Sequence, residues 1–305
     1  MKLGIEEIGY YLPSNSINNF DRKAEFEIDD VFIREKIGFQ KVARKNELEK
    51  SSDLCVRAFE NLQTKKDFNK NEIECLIVIT QNPDFNLPHT SAIVHGLLDL
   101  PETCASFDVS LGCSGYVYGL SIITAFMEMN GLKKGLLFTS DQYSPIINDS
   151  DKNTSLLFGD AATVSLISDT PVFKLNKFSF GTIGKDYKEL INEEKLYMNG
   201  RSIFNFAARY VPTDIKKIYE LHQINSSDVD LYIFHQGSKY MLETIVKRLN
   251  LPIDKVPFAA VEYGNTISSS IPMILKDYLR ANQVKKVILS GFGVGLSWAS
   301  TLITK

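Results

Sequence analysis

Three residue types in one order suggest chemistry in this chain: a cysteine, a histidine and an asparagine. Cys113 lies in Gly112-Cys113-Ser114-Gly115, between a strand-like run and the helix-like run Tyr116–Met127. A cysteine at such a turn has its sulfur near a helix N-terminus, whose dipole and free amides favour thiolate. The flanking glycines permit a strained turn and let a substrate approach the backbone closely. Such a thiol would attack a carbonyl and hold the acyl group. The same pattern suits a small buried cysteine that packs as a hydrophobe, and the local pattern weighs the two evenly. Cys55 and Cys75 sit inside apolar-periodic segments and read as core. His235 ends an otherwise apolar strand, where a lone histidine is more often structural. Asn265 lies in Gly264-Asn265-Thr266, where Gly-Asn is ordinary turn chemistry. His89, His95 and His222 have no comparable setting. No C-x-x-C and no zinc spacing occurs, so no metal site is expected.

The elements that must position these residues read as strands alternating with helices and a largely parallel sheet. Two stretches share an order of parts. The first has a buried strand at Glu74–Gln81, a helix near Ser91–Leu98, and a strand near Ala105–Ser110 ending in Leu111-Gly112-Cys113. The second has a strand at Asp230–Gln236, a helix near Met241–Leu249, and a strand near Val256–Val261 ending in Tyr263-Gly264-Asn265. A helix-compatible segment, a Lys-Lys pair and another buried strand follow each: Gly135–Thr139 and Val287–Ser290. Lys133 follows Cys113 by 20 positions, and Lys285 follows Asn265 by 20. The spacing implies a duplicated α/β lobe, residues 1–170 and 171–305, with the boundary at Ser168-Asp169-Thr170-Pro171. In related lobes Cys113, His235 and Asn265 all fall at the C-terminal ends of strands, where open α/β sheets bind ligands. The tail Ser290-Gly291-Phe292-Gly293-Val294-Gly295 is no dinucleotide loop, because only ten residues follow Gly295. It reads as a glycine loop bringing amides to a reacting carbonyl.

Composition bounds the partners. With 305 residues, 44% of them apolar, the chain can bury a large core. Its 34 basic and 37 acidic residues leave −3, without the footprint of a nucleic-acid binder. Four scattered cysteines suggest reduced thiols, and the acidic N-terminus and lack of a ~20-residue apolar run argue against a signal peptide or a membrane span. The expected setting is cytoplasmic.

With Cys113, His235, Asn265 and the glycine tail in this order, the sequence resembles the thiolase-fold condensing enzymes, and most of all β-ketoacyl-acyl-carrier-protein synthase III. The resemblance runs from Ser51-Ser52-Asp53-Leu54 through Phe107-Asp108-Val109, Cys113-Ser114-Gly115, Phe158-Gly159-Asp160-Ala161-Ala162, His235-Gln236 and Gly264-Asn265-Thr266 to Gly293–Trp298. It implies a thiolase-like five-layered αβαβα fold built from two duplicated lobes, a homodimer, and an active site between the lobes. It implies that Cys113 takes an acyl group from an acyl-CoA or acyl-carrier-protein thioester, with no cofactor. His235 and Asn265 would then stabilise the enolate left when a malonyl thioester loses carbon dioxide. The amides of Cys113 and of Val294, in the Gly293–Gly295 segment, would hold the oxyanion.

Several positions depart from the family pattern. Phe32 stands where a tryptophan is frequent, Lys36 and Lys152 replace arginines, and Leu87 takes the place of a phenylalanine near the acyl pocket. Gly237-Ser238-Lys239-Tyr240 and Tyr263 are also altered. Lysine and arginine are not equivalent toward phosphates, which weakens the implied coenzyme A contact of Phe32, Lys36 and Lys152. Lys247 and Arg248 match a basic pair that would meet the carrier protein, and an exposed helix end accounts for them equally. Two other functions stay open: acyl transfer to an alcohol or amine without decarboxylation, and a non-catalytic dimer partner.

Overall fold

In the computed structural model, which describes residues 3–305, nine strands form one sheet. In chain order these are β1 (Gly4–Tyr11), β2 (Cys75–Ile79), β3 (Ala105–Val109), β4 (Lys134–Asp141) and β5 (Ala161–Ser168). They are followed by β6 (Phe173–Thr182), β7 (Leu231–Phe234), β8 (Lys286–Gly293) and β9 (Ser297–Thr304). Across the sheet the order is β7-β8-β9-β6-β1-β5-β4-β2-β3. From the β6–β1 junction outward, β6-β9-β8-β7 mirrors β1-β5-β4-β2 strand for strand. The directions match too: β2–β4 and β7–β8 are parallel, β4–β5 and β8–β9 antiparallel. The junction is brief, Gly4 opposite Lys174 and Ile5 opposite Phe173.

Each Lys-Lys pair is held by an acid of its own half. Glu74, before β2, accepts the amides of Lys133 and Lys134 at 2.6 and 3.2 Å. Asp230, before β7, accepts those of Lys285 and Lys286 at 2.8 and 2.9 Å. One acid in each half thus clamps the start of the strand that follows the Lys-Lys pair.

Alternation along the strands builds the layers. Cys75, Ile77 and Ile79 of β2 pack with Leu231 and Ile233 of β7 around two helices, α3 (Gly115–Asn130) and α6 (Ser270–Leu275). Leu76 and Val78 face the opposite way, onto α1 (Ser51–Lys65) and α2 (Thr90–Leu97). Tyr232 and Phe234 meet α4 (Gly200–His222) and α5 (Lys239–Leu249). The sheet therefore folds over at its narrow junction, giving five layers with α3 and α6 in the middle.

Two expectations are corrected. The sheet is mixed, with β1–β5, β1–β6, β4–β5, β6–β9 and β8–β9 antiparallel. Strands buried on both faces read alike whichever way they run, and the three residues between β8 and β9 permit only a hairpin. No strand forms at Val256–Val261. Pro257 has no amide to donate there, and the Ala259 amide is taken by Gln236 Oε1 at 3.0 Å. The sheet runs unbroken past Ser168–Pro171, because β5 and β6 both pair with β1.

Candidate active site

The turn between β3 and α3 presents Cys113, its Gly115 amide bonded back to the Gly112 carbonyl at 2.7 Å. From the other half, β8 passes directly behind it. A Cβ on Gly291 would lie 2.7 Å from the Cys113 carbonyl oxygen, and one on Gly293 would lie 2.6 Å from its Sγ. Bare backbone is what lets the sulfur lie against this strand. Ser114 Oγ is 2.8 Å from Ser297 Oγ, which donates to the Val294 carbonyl at 2.8 Å, tying the turn to the glycine loop. The amides of Val294 and of Cys113 favour charge on the sulfur. Neither is spent on a backbone carbonyl.

Burial pushes the Cys113 thiol up to about 12, and the carboxylate of Asp141 adds to the rise, against a partial offset from the two amides. The expectation of a thiolate is therefore corrected: two amides at a helix start do not repay the loss of water around the charge. The resting sulfur is a protonated thiol.

His235 follows β7, its amide donating to the Ser290 carbonyl at 2.9 Å. Its Nδ1 lies 2.8 Å from Ser270 Oγ, and Phe292 packs edge-on against the ring at 5.6 Å. Asn265 is placed by a backbone crossing between the halves. Its amide donates to the Leu157 carbonyl at 2.7 Å, and its carbonyl accepts from Gly159 at 2.9 Å. Only glycine fits that crossing, since a Cβ on Gly159 would be 2.0 Å from the Tyr263 carbonyl, and Gly264 has φ +82. Asn265 Oδ1 accepts from the Ile267 amide at 2.9 Å, which turns Nδ2 toward His235 Nε2, 3.4 Å away. Two side-chain nitrogens thus converge beside the thiol, a geometry that suits one shared oxygen. Burial pushes His235 down to about 3, so the ring is neutral at pH 7.

All three residues line one cavity of about 380 Å³. Its inner end holds Cys113, His235, Asn265 and Phe292, and its outer end carries Phe32, Lys36, Lys152, Arg201, Phe204 and Tyr240. Lys36 Nζ stands 4.2 Å over the Tyr240 ring and Lys152 Nζ 5.7 Å over Phe32. Lys239 and Glu35 pair at 2.6 Å, joining the halves beside the mouth. Among the described residues no three His, Cys, Asp or Glu side chains cluster as metal ligands.

Residues 107–184 match the family model for 3-oxoacyl-[acyl-carrier-protein] synthase III, and residues 219–305 match the model for its C-terminal part. The β-ketoacyl-[acyl-carrier-protein] synthases III of Streptococcus gordonii and of Neisseria meningitidis are each 30% identical to this chain, with 98% of both chains covered. The chain belongs to the 3-oxoacyl-[acyl-carrier-protein] synthase III family. Solved synthase III structures agree in fold. One has a TM-score of 0.94 and 28% identity over the whole of both chains. That of Thermus thermophilus has 0.91 and 29% over 99% of each.

This cavity gathers Cys113, His235, Asn265, Phe32, Lys36 and Lys152, and Val294 lies in the glycine loop beside Gly293, which lines it. Leu87 stands apart. It is 87% exposed on the loop before α2 and does not line the cavity of the single chain. Lys247 and Arg248 are exposed in the last turn of α5, about 10 Å along the axis from Tyr240 at the mouth. Sequence reasoning missed Arg201 and Phe204, which sit in the first turns of α4 with no motif to mark them. It also missed Tyr143, whose hydroxyl donates to Gln81 Oε1 at 3.1 Å.

Two outcomes follow from this geometry. Gly293→Ala puts a methyl where the sulfur lies, and acylation of Cys113 by an acyl thioester should slow by at least about 10²-fold; a rate unchanged by rapid-quench mass spectrometry would contradict the packing. His235 has a folded value below its unfolded 6.5, so it contributes stability above that pH, lost as pH falls through about 3. Its ring proton shift should stay flat between about pH 5 and 8 by NMR, and an inflection near 6.5 would contradict its burial.

Proposed function

We propose that the chain is an acyltransferase that condenses an acyl group held on Cys113 with a malonyl group, releasing carbon dioxide. The observation that carries this reading is the convergence of His235 Nε2 and Asn265 Nδ2, 3.4 Å apart, in the cavity that holds the thiol. A carboxamide donor and a neutral imidazole nitrogen aimed at one point suit an oxygen that gains negative charge during reaction, once Nε2 carries the ring proton.

The first step is transfer without net charge. Cys113 sulfur bonds to the acyl carbon, the bond to the donor's sulfur breaks, and the thiol proton leaves on that sulfur. Because the thiolate is the attacking species, the thiol proton must leave Cys113 before or as the new bond forms, and the raised value makes this deprotonation part of the barrier. In the second step the malonyl thioester loses carbon dioxide, and the electron pair becomes an enolate whose oxygen accepts from His235 and Asn265. For His235 to donate through Nε2, its Nδ1 must accept the Ser270 hydroxyl proton at 2.8 Å, which requires that hydroxyl to turn from the Ile267 carbonyl it also reaches at 2.9 Å. The enolate carbon attacks the acyl-Cys113 carbonyl. The amides of Cys113 and Val294 hold the oxyanion until the thiolate departs and regains a proton.

The thioester's carrier arm would enter past Phe32, Lys36 and Lys152, with Arg201 adding a third cation for phosphate. In this reading the chain works in the cytoplasm as a homodimer, on acyl-CoA or acyl-carrier-protein thioesters, with no resident cofactor. The carrier protein would meet Lys247 and Arg248.

The test is product and carbon dioxide release from an acyl thioester and malonyl-carrier protein. Cys113→Ser should abolish both, and Asn265→Ala should lower kcat about 10²–10³-fold, as loss of one charge-stabilising donor does elsewhere. Product formed at the full rate by Cys113→Ser would overturn the proposal.

A further inference from the structure

A second cavity, of about 360 Å³, lies on the far side of the glycine loop, and its walls differ in kind from the first. Val294 and Gly295 form part of it, so it shares with the sulfur the residue whose amide favours charge there. Leu190 lines both cavities. Gln81 stands at the boundary, its Oε1 2.5 Å from where a Cβ on Gly112 would sit, beside the nucleophile. Tyr143 donates to that same oxygen at 3.1 Å, its ring against Phe158 at 5.1 Å. On this side a carboxamide and a hydroxyl stand among the apolar side chains of Ile146, Leu190, Ile191 and Leu196, so the cavity offers a polar anchor beside apolar walls.

The polar groups here are short of partners. Asn82 lines the cavity, and its Nδ2 is enclosed with no hydrogen-bond partner. Gln81 Nε2 makes no hydrogen bond among the described residues and is not enclosed, so it can donate to a ligand oxygen in the cavity. A donor left unpaired out of water costs free energy until a ligand supplies an acceptor. No Lys, Arg, His, Asp or Glu lines this cavity. The missing acceptor is then a neutral oxygen, because neither a carboxylate nor an ammonium group would find a counter-charge.

We propose that Cys113 carries short acyl groups bearing a hydroxyl or keto oxygen, seated against Gln81, Asn82 and Tyr143, in preference to plain hydrocarbon chains. This rests on the acyl-transfer reading above and names the substrate class of that site. Gln81 and Tyr143 are specificity-determining residues in this account.

The experiment offers the purified chain acetyl, butyryl, 3-hydroxybutyryl and 4-hydroxybutyryl pantetheine thioesters, and follows the Cys113 adduct by intact mass. At least one hydroxyacyl group should load about tenfold or more faster than butyryl, since a site built to bond an oxygen rejects the analogue lacking it. In Gln81→Leu/Tyr143→Phe the ratio of hydroxyacyl to butyryl loading should fall to one or below. Butyryl loading as fast as both hydroxyacyl groups would overturn the proposal, as would loading of acetyl alone, which would mean that the polar pair only closes the pocket. The wild-type ratios decide this even if the double variant does not fold. No adduct with any of the four, acetyl included, would overturn the acyl-transfer reading itself and this one with it.

Discussion

Cys113 Sγ lies against the backbone of β8 with no side chain between them, and the arrangement of the site depends on that approach. The cysteine comes from one half of the chain and the strand from the other, so the two halves must abut closely enough for sulfur to meet peptide. Gly291 and Gly293 provide the room. The same crossing lets the Val294 amide favour charge on the sulfur and, one strand over, sets His235 beside Ser290. A second bare crossing, Gly159 against Gly264, sets Asn265. Glycine serves here as the absence of a side chain where two halves of a sheet touch.

That closeness has an electrostatic consequence. Burial at the inner end of the cavity keeps both its thiol and its imidazole neutral, one raised to about 12 and the other lowered to about 3. Asp141, pushed up to about 6 by burial, accepts from the Gln81 amide at 2.7 Å and from the Ser268 hydroxyl at 2.6 Å, so it also pins one half to the other. A pocket whose inner groups are neutral suits chemistry in which charge appears only in transit. Hydrogen-bond donors fixed beforehand are worth more there than in water.

Much of this was legible in the sequence. The order of Cys113, His235, Asn265 and the glycine tail carried the site, and the two Lys-Lys spacings pointed to the duplication, each half of which clamps such a pair with an acid, Glu74 or Asp230. What was not legible depends on tertiary contact. The Val256–Val261 run looks like a strand until Pro257 and the Gln236 side chain claim its amides. The charge state of Cys113 depends on how deeply another segment buries it, and a local turn pattern does not report that. Arg201, Phe204, Tyr143 and Gln81 come to the cavities from unrelated elements, and no spacing connects them. Leu87, placed by analogy, lies on the surface of the single chain.

The central claim is that one sulfur carries the acyl group between two half-reactions completed by groups from the other half of the sheet. A single-turnover experiment tests it most directly. The purified chain is charged with a labelled acetyl thioester, digested to locate the label, and in parallel chased with malonyl-carrier protein. The label should map to Cys113 and leave it as a 3-oxoacyl product, with one carbon dioxide released for each acetyl group lost. A label on any other residue, or an acetyl-Cys113 that survives the malonyl chase, would contradict the account.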